Sequence, residues 1–244
     1  SRRWTGWMRL LKTATGRDFR WTAVIPPAYK LIFMTKQSDS GPKNTATLAT
    51  TPAPPARLAS KHLLGIEGLN PLEINALIDR GDMFADLIQE EQPITPPLSE
   101  VLKGRTVLNL FFENSTRTRV SFEVGISQLG GTPLMMSAQD MQIGRGESIE
   151  DTARVLSRYV DAITIRCFSH DMLLTLAEHA TVPVVNALTE RSHPCQIMAD
   201  LQTMIERHGP LDGQIVTWIG DGNNVAASWI EAATRFNFQL RIAC

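Results

Sequence analysis

Five consecutive residues combine hydroxyl and guanidinium groups where a strand is predicted to turn into a helix. They are Ser115, Thr116, Arg117, Thr118 and Arg119. The apolar run at 106–112 is typical of a buried parallel strand, and apolar residues at helical spacing follow the five. The first amide groups of a helix lack partners within it, and the helix dipole favours an anion there. Hydroxyls beside a planar, permanently charged guanidinium therefore predict a phosphate site.

A purely structural alternative stays open at this segment. Ser115 or Thr116 could only cap the helix while both arginines are solvated. Because Arg117 and Arg119 are two positions apart, a helix directs them to different sides. We expect one arginine to bind the anion and the other to pair with Glu123, four residues after Arg119.

Polar residues near two further predicted element ends are candidates for the same site. Arg166 ends an apolar strand and is expected on the same sheet edge, although a charge there is often only a solvated strand end. His193 and Gln196 flank Pro194 at a predicted helix start, which favours hydrogen bonds to a carbonyl or amide group. A structural histidine is the alternative. Cys195 lacks a neighbouring base, so a packed thiol is expected rather than a nucleophile.

A glycine-containing turn at 220–224 follows another predicted strand. The turn resembles a dinucleotide-binding loop, but Val225 stands where the third glycine is expected. The pattern therefore disfavours a nicotinamide or flavin cofactor. The adjacent amides of Asn223 and Asn224 suit hydrogen bonding to a small polar substrate.

The elements that must position these residues alternate from residue 58 onward. Asn70, Pro71 and Glu73 predict a helix start with a capping box, and that helix is expected to reach about residue 91. The other predicted helices are the one after Ser115 and those at 148–159, 170–180, 194–208 and 225–236; the predicted strands are 106–112, 132–136, 161–166, 182–186, 214–219 and 238–243. This alternation predicts an α/β fold with two parallel-sheet domains. Ligands of such sheets bind beyond the carboxyl ends of the strands, where all the candidates fall.

Composition excludes several classes of protein. The 244 residues carry a net charge of −1, which gives no support for nucleic-acid binding. No apolar run approaches the roughly 18 residues that a membrane helix needs. The three cysteines are widely spaced and match no metal-ligand pattern, so we expect a reducing compartment, no disulfide framework and no metal.

Residues 1–57 differ from the rest of the chain. Residues 1–33 hold seven basic residues against one acidic residue, and 35–57 are rich in Thr, Ala, Pro and Ser. We expect a disordered or non-native extension outside the fold. A transit peptide is one interpretation, and translated upstream sequence with the natural start at Met34 is the favoured one.

The candidate segments resemble the carbamoyltransferases, over about residues 60–244. The matching stretches are FENSTRTR at 112–119 followed by SFE at 121–123, QIGRGES at 142–148, DTARVL at 151–156 and HPCQ at 193–196. Within the family, WIGDGNN at 218–224 resembles the ornithine carbamoyltransferases, whereas aspartate carbamoyltransferases carry a different loop there.

The resemblance implies a role for each candidate. The implied carbamoyl-phosphate contacts are Ser115, Thr116, Arg117, Thr118, Gln142, Arg166, His193, Pro194, Cys195 and Gln196, with Gln142 reaching in from a neighbouring subunit of a homotrimer. Asn224 is implied to contact the amino-acid end of L-ornithine. The residues implied to act in catalysis are Arg117, Thr118, Arg166 and His193. No cofactor is implied.

The implied reaction transfers the carbamoyl group of carbamoyl phosphate to the δ-amine of L-ornithine, giving L-citrulline and phosphate. Its setting is arginine biosynthesis or a urea-cycle-type step, in the cytoplasm or, if 1–33 is a transit peptide, the mitochondrial matrix. The family's second domain continues past residue 244, so we expect a C-terminal truncation. Residues 58–190 form the carbamoyl-phosphate domain in this interpretation, and 191–244 a bridging helix with the start of the ornithine domain. The alternatives are aspartate carbamoyltransferase and a non-catalytic carbamoyl-phosphate-binding module.

Overall fold

Two β-sheets flanked by helices make up the structure, a computed structural model that describes residues 31–36, 58–89, 98–143 and 146–244. The strands are β1 (Leu31–Lys36), β2 (Thr106–Phe111), β3 (Thr132–Ser137), β4 (Ala162–Arg166), β5 (Val184–Leu188), β6 (Gln214–Ile219) and β7 (Gln239–Ala243). The helices are α1 (Pro71–Gln89), α2 (Thr116–Gln128), α3 (Ile149–Leu156), α4 (His170–His179), α5 (Pro194–His208) and α6 (Asn224–Ala233), with short 3-10 turns at Leu98–Glu100 and Ala138–Asp140. The predicted α/β class is confirmed.

The larger sheet has four strands in the order β3-β2-β4-β5, and all of its pairs are parallel. Its central strands are nearly continuous apolar runs because helices cover both faces of such sheets. Leu108, Ile163 and Val184 are fully buried in its core. Leu63 extends the sheet beyond β5 through a parallel bridge to Val185. The carboxyl ends of the strands thus lie along one edge, as parallel pairing requires.

The smaller sheet has the order β1-β6-β7. Strands β6 and β7 are parallel, whereas β1 is antiparallel to β6. β1 lies within 1–57, the segment expected to lie outside the fold, so that expectation does not hold for these six residues. The rest of 1–57 lies outside the described residues.

Helix α1 begins with the predicted capping box. The Glu73 amide donates to the Asn70 side chain over 3.0 Å, and the Asn70 amide donates to the Glu73 carboxylate over 2.9 Å. These hydrogen bonds lower the pKa of Glu73, led by the one from Asn70. Ile74 and Ile78 of α1 belong to the apolar core of α5, β6 and α6, not to that of the larger sheet. The boundary predicted at residue 190 therefore groups α1 with a domain whose core it does not share.

Most predicted element bounds lie within a few residues of the observed ones, and those of α5 and β6 coincide. The strand predicted at 182–186 is found at Val184–Leu188. The helix predicted at 148–159 ends at Leu156. Within the described segments, no helix has the length and apolar character needed to span a membrane.

Candidate active site

The start of α2 presents the hydroxyl and guanidinium groups predicted from the sequence. Ser115 occupies the N-cap with extended backbone angles, but its hydroxyl caps no helix amide. The hydroxyl instead donates to the Thr118 hydroxyl over 2.9 Å. Thr116 and Arg117 are exposed. Because the Ser115 hydroxyl does not accept from the first amide groups of α2, these amides can donate to an anion.

Arg166 lies beside this helix start because of the sheet register. Strands β2 and β4 pair Phe111 with Arg166, and the amide of Phe112 donates to the Arg166 carbonyl over 2.9 Å. Three residues later the chain reaches Ser115. The Nε of Arg166 is buried and has no hydrogen-bond partner among the described residues. A buried N–H without an acceptor is costly, so an anionic ligand would stabilise this donor.

Strand β5 ends next to Arg166 in the same sheet. A register shift between Ile165 and Arg166 pairs Arg166 with Leu188, and the amide of Cys167 donates to the Leu188 carbonyl over 3.1 Å. The loop that follows β5 is closed by a hydrogen bond from the Thr189 amide to the Ser192 carbonyl. The register therefore brings the ends of β2, β4 and β5 together at one edge.

The four residues of the HPCQ segment open α5 directly after this loop. His193 is the N-cap residue, its side chain makes no capping hydrogen bond, and Pro194 follows at the first helical position. The Gln196 side chain donates to the Asp200 carboxylate over 2.9 Å, along its own helix. The structure thus places His193 and Gln196 at the same sheet edge as Arg166, by way of the loop after β5.

Cys195 packs as a neutral thiol. Its sulfur donates to the Asn186 carbonyl over 3.5 Å, and burial raises the pKa of Cys195 to about 11. Burial likewise raises the pKa of Cys167 to about 12. A thiolate is the reactive form of cysteine, so neither residue is an activated nucleophile at neutral pH.

The start of α6 contacts the same loop. Asn223 is the N-cap, and its side chain accepts from the amides of Val225 and Ala226. The Asn224 side chain donates to the Thr189 carbonyl over 2.7 Å. This hydrogen bond links the turn proposed for the amino-acid substrate to the loop that leads into His193.

Gln142 and Arg119 lie near the end of β3, the strand beside β2 in the larger sheet. Gln142 is exposed two residues after the 3-10 turn at Ala138–Asp140. The positive charge of Arg119 contributes, after the hydrogen bonds from Ser137, to the lowered pKa of Asp140. No ion pair between Arg119 and Glu123 occurs within the described part of the chain.

Sequence comparison identifies the family. Residues 61–206 match the carbamoyl-phosphate-binding domain of the aspartate/ornithine carbamoyltransferases. The chain belongs to the aspartate/ornithine carbamoyltransferase family. The matched residues include every candidate carbamoyl-phosphate contact from Ser115 to Gln196.

Individual carbamoyltransferases agree with this assignment. An ornithine carbamoyltransferase of Rhodopseudomonas palustris is 52% identical over 185 residues, which are 76% of this chain and 59% of that protein. The solved structure of the Pyrococcus furiosus ornithine carbamoyltransferase has a TM-score of 0.70 at 43% identity, covering 75% of this chain and 56% of that one. A putative aspartate carbamoyltransferase from Trypanosoma cruzi has a TM-score of 0.68 at 28% identity, covering 78% and 66%. The chain spans about three fifths of the length of the curated relatives it matches.

Three buried hydroxyls in this member of the family were not among the predicted site residues. Thr189, Ser192 and Ser228 hydrogen-bond around the loop that precedes His193. Serine and threonine in loops or inside helices carry no distinctive pattern, so only the tertiary contacts reveal them. Among the described residues, no group of histidine, cysteine and carboxylate side chains could hold a metal ion.

Proposed function

We propose that the carboxyl edge of the larger sheet binds carbamoyl phosphate and that the protein transfers its carbamoyl group to the δ-amine of L-ornithine. One observation carries this proposal. The β2–β4 register places Arg166, with its buried and unpartnered Nε, beside the uncapped start of α2 that bears Ser115 and Arg117. The Arg166 Nε, the uncapped amides of α2 and the exposed Arg117 are donors that a ligand with several oxygens can satisfy.

The phosphate group is assigned to the start of α2. Ser115, Thr116 and Thr118 offer hydroxyls, Arg117 offers a charged fork, and the first amides of α2 add the favourable end of the helix dipole. Arg117 is exposed, so its side chain is free to rotate onto an incoming ligand. The carbamoyl group is assigned to Arg166, His193 and Gln196, in the segment that also contains Pro194 and Cys195.

The chemistry needs no enzyme nucleophile. The neutral δ-amine attacks the carbamoyl carbon, forming a C–N bond while the C–O bond to phosphate breaks. The departing phosphate accepts the proton that the amine loses, so the products are citrulline and hydrogen phosphate. Thr118, Arg166 and His193 are assigned to the carbonyl oxygen as negative charge develops on it. Positioning of the two substrates supplies the rest of the acceleration.

Ornithine is preferred to aspartate as the second substrate. The WIGDGNN turn supports this choice, as does the higher identity to proteins named ornithine carbamoyltransferase than to the putative aspartate enzyme. Asn224 is assigned to the amino-acid end of ornithine, with its NH₂ group held by Thr189 and its carbonyl oxygen available to accept.

The proposal extends to assembly and setting. A homotrimer would bring the exposed Gln142 of one subunit to the carbamoyl phosphate of its neighbour. We assign the reaction to arginine biosynthesis in the cytoplasm; the free state of all three cysteines supports a reducing compartment.

A second candidate is a module that binds carbamoyl phosphate without turnover. Every residue assigned to carbamoyl phosphate lies among the described residues, whereas Asn224 is the one described residue assigned to ornithine.

Calorimetry and a product assay test these two candidates and the aspartate carbamoyltransferase alternative. The chain is titrated with freshly dissolved carbamoyl phosphate, and then incubated with it and either ornithine or aspartate. Binding with citrulline formation supports the transferase, and binding without either product supports the module. Formation of carbamoyl-aspartate alone would identify the aspartate enzyme, and absence of binding would contradict all three.

A further inference from the structure

The hydroxyl of Ser228 joins the start of α5 to the start of α6. Ser228 is fully buried inside α6, and its hydroxyl donates to the Asn224 carbonyl over 2.8 Å. The same oxygen accepts the backbone N–H of His193, also over 2.8 Å. A hydroxyl has one proton and two lone pairs, so Ser228 can make both bonds at once. It tethers His193 to the helix whose first turn is assigned to ornithine.

A second hydroxyl and a carboxylate continue this tether. The Ser192 hydroxyl lies 3.3 Å from that of Ser228 and 3.4 Å from the Glu231 carboxylate. The Glu231 carboxylate also accepts the Ile66 amide over 3.0 Å. Ser192 and His193 are therefore both hydrogen-bonded to α6, which restrains the loop before α5.

The backbone N–H of His193 has the Ser228 hydroxyl as its acceptor, at a helix start without a side-chain cap. Its φ of −136° and ψ of 70° are not helical, and its side chain makes no capping hydrogen bond. Pro194 has no backbone N–H, so the amide of His193 is the last donor before α5 begins. Losing its acceptor would let the His193 segment shift, and a shift of about 1 Å in a positioned group can cost about 100-fold in rate.

We propose that Ser228 is a positioning residue for the carbamoyl group, holding the backbone of His193 so that His193 and Gln196 face that group. This inference rests on the proposed function, because it assumes that the start of α5 contacts the carbamoyl end of the ligand. Ser228 itself does not touch the ligand.

The two halves of the ligand give the proposal a specific signature. Inorganic phosphate needs the donors at the start of α2, whereas carbamoyl phosphate also needs those at the start of α5. Loss of the Ser228 hydroxyl should therefore weaken the binding of carbamoyl phosphate more than that of inorganic phosphate. If Ser228 had only a structural role, its loss would weaken the binding of both ligands equally or of neither.

Ser157 provides a matched control. It is buried at the end of α3, its hydroxyl donates to the Ala153 carbonyl over 2.6 Å, and it accepts the Thr181 amide over 3.1 Å. It therefore repeats the bonding of Ser228 at a helix end remote from the proposed ligand contacts.

Calorimetry of Ser228→Ala, Ser228→Thr and Ser157→Ala with each ligand tests the proposal. We expect Ser228→Ala to lower the affinity for carbamoyl phosphate about tenfold and the affinity for inorganic phosphate less than about twofold. Ser228→Thr should recover the affinity for carbamoyl phosphate, and Ser157→Ala should leave both affinities unchanged. Equal losses for the two ligands, or no loss, would overturn the positioning role. If the unaltered chain binds neither ligand, the proposed function fails and this inference fails with it.

Amide hydrogen exchange examines the tether apart from any ligand. In Ser228→Ala, exchange should accelerate at the amide of His193, and in Ser157→Ala at that of Thr181. Unchanged exchange at His193 would show that Ser228 does not hold this backbone, whatever the binding data.

Discussion

The two edges of the larger sheet carry arginines whose surroundings differ. At the amino edge, Arg105 pairs with the Asp161 carboxylate at 2.6 Å, and that carboxylate also accepts the Thr106 amide over 2.9 Å. At the carboxyl edge, Arg166 has a buried Nε with no partner among the described residues, and Arg117 is exposed beside an uncapped helix.

The difference separates charges that pair within the fold from charges that we propose to pair with a ligand. The Asp161 carboxylate accepts two hydrogen bonds, one from Arg105 and one from the Thr106 amide, and these join the starts of β2 and β4. At the carboxyl edge, the Arg166 Nε is left without an acceptor among the described residues, although an acceptor would stabilise the chain. Sites of this kind commonly trade stability for function.

The largest expected effect comes from removing Arg117. Arg117→Ala should lower the affinity for carbamoyl phosphate about 100-fold, because a charged bidentate contact to the phosphate is lost. Titration calorimetry measures the affinity, and the matched control Arg105→Ala should leave it unchanged. If both variants lose affinity equally, the two edges do not differ as described.

Replacing Arg166 by methionine should separate binding from stability. Arg166→Met should lower the affinity about tenfold, yet raise the free energy of unfolding by about 1 kcal/mol, because the unpartnered Nε is removed. Urea unfolding gives the second quantity. Arg105→Met, which breaks an ion pair, should shift stability the other way and leave binding intact; a fall in stability for Arg166→Met would sink this interpretation.

A pH dependence is expected from Asp161 at the amino edge. The Thr106 amide, and then Arg105, hold the pKa of Asp161 below its usual value. The folded pKa lies below the unfolded one, so the carboxylate stabilises the fold above about pH 3.9, and this contribution disappears as the pH falls through the folded value. Asp161→Asn should therefore lower the urea midpoint at neutral pH, and lower it less in acid. A constant difference across that range would exclude the ionised carboxylate as its source.

The smallest effect concerns a thiol at the carboxyl edge. Cys195 sits in the first turn of α5, yet burial raises its pKa to about 11, whereas Cys244 is exposed. Brief alkylation at neutral pH should modify Cys244 and leave Cys195 almost untouched, as mass spectrometry of the digested protein would show. Rapid labelling of Cys195 would mean that the field of this edge activates the thiol after all.

Local sequence patterns were enough to predict most of the elements and the strand-end positions of the site. The Asn70–Glu73 capping box, the apolar run of β2 and Pro194 at the start of α5 are signals within a few residues, and each has the predicted structure. Arg166 ends β4, as the apolar run before it predicts, and parallel pairing with β2 puts it at the expected sheet edge.

The features that escaped prediction depend on contacts between distant residues. β1 pairs with β6 across more than 170 residues of chain, so the local sequence around β1 does not indicate which strand it pairs with. The core that α1 joins is likewise fixed by packing against α5 and not by chain order. Ser228 looks like an ordinary helix residue until His193 is placed beside it.

The uncapped start of α2 has a consequence for engineering this protein. A screen that rewards heat resistance alone would favour aspartate at Ser115, since an acidic N-cap satisfies the same amides that an incoming anion needs. Variants selected in this way would carry a carboxylate that competes with phosphate for the amides of α2. Selection for robustness should therefore be counter-screened for ligand capture from its first round.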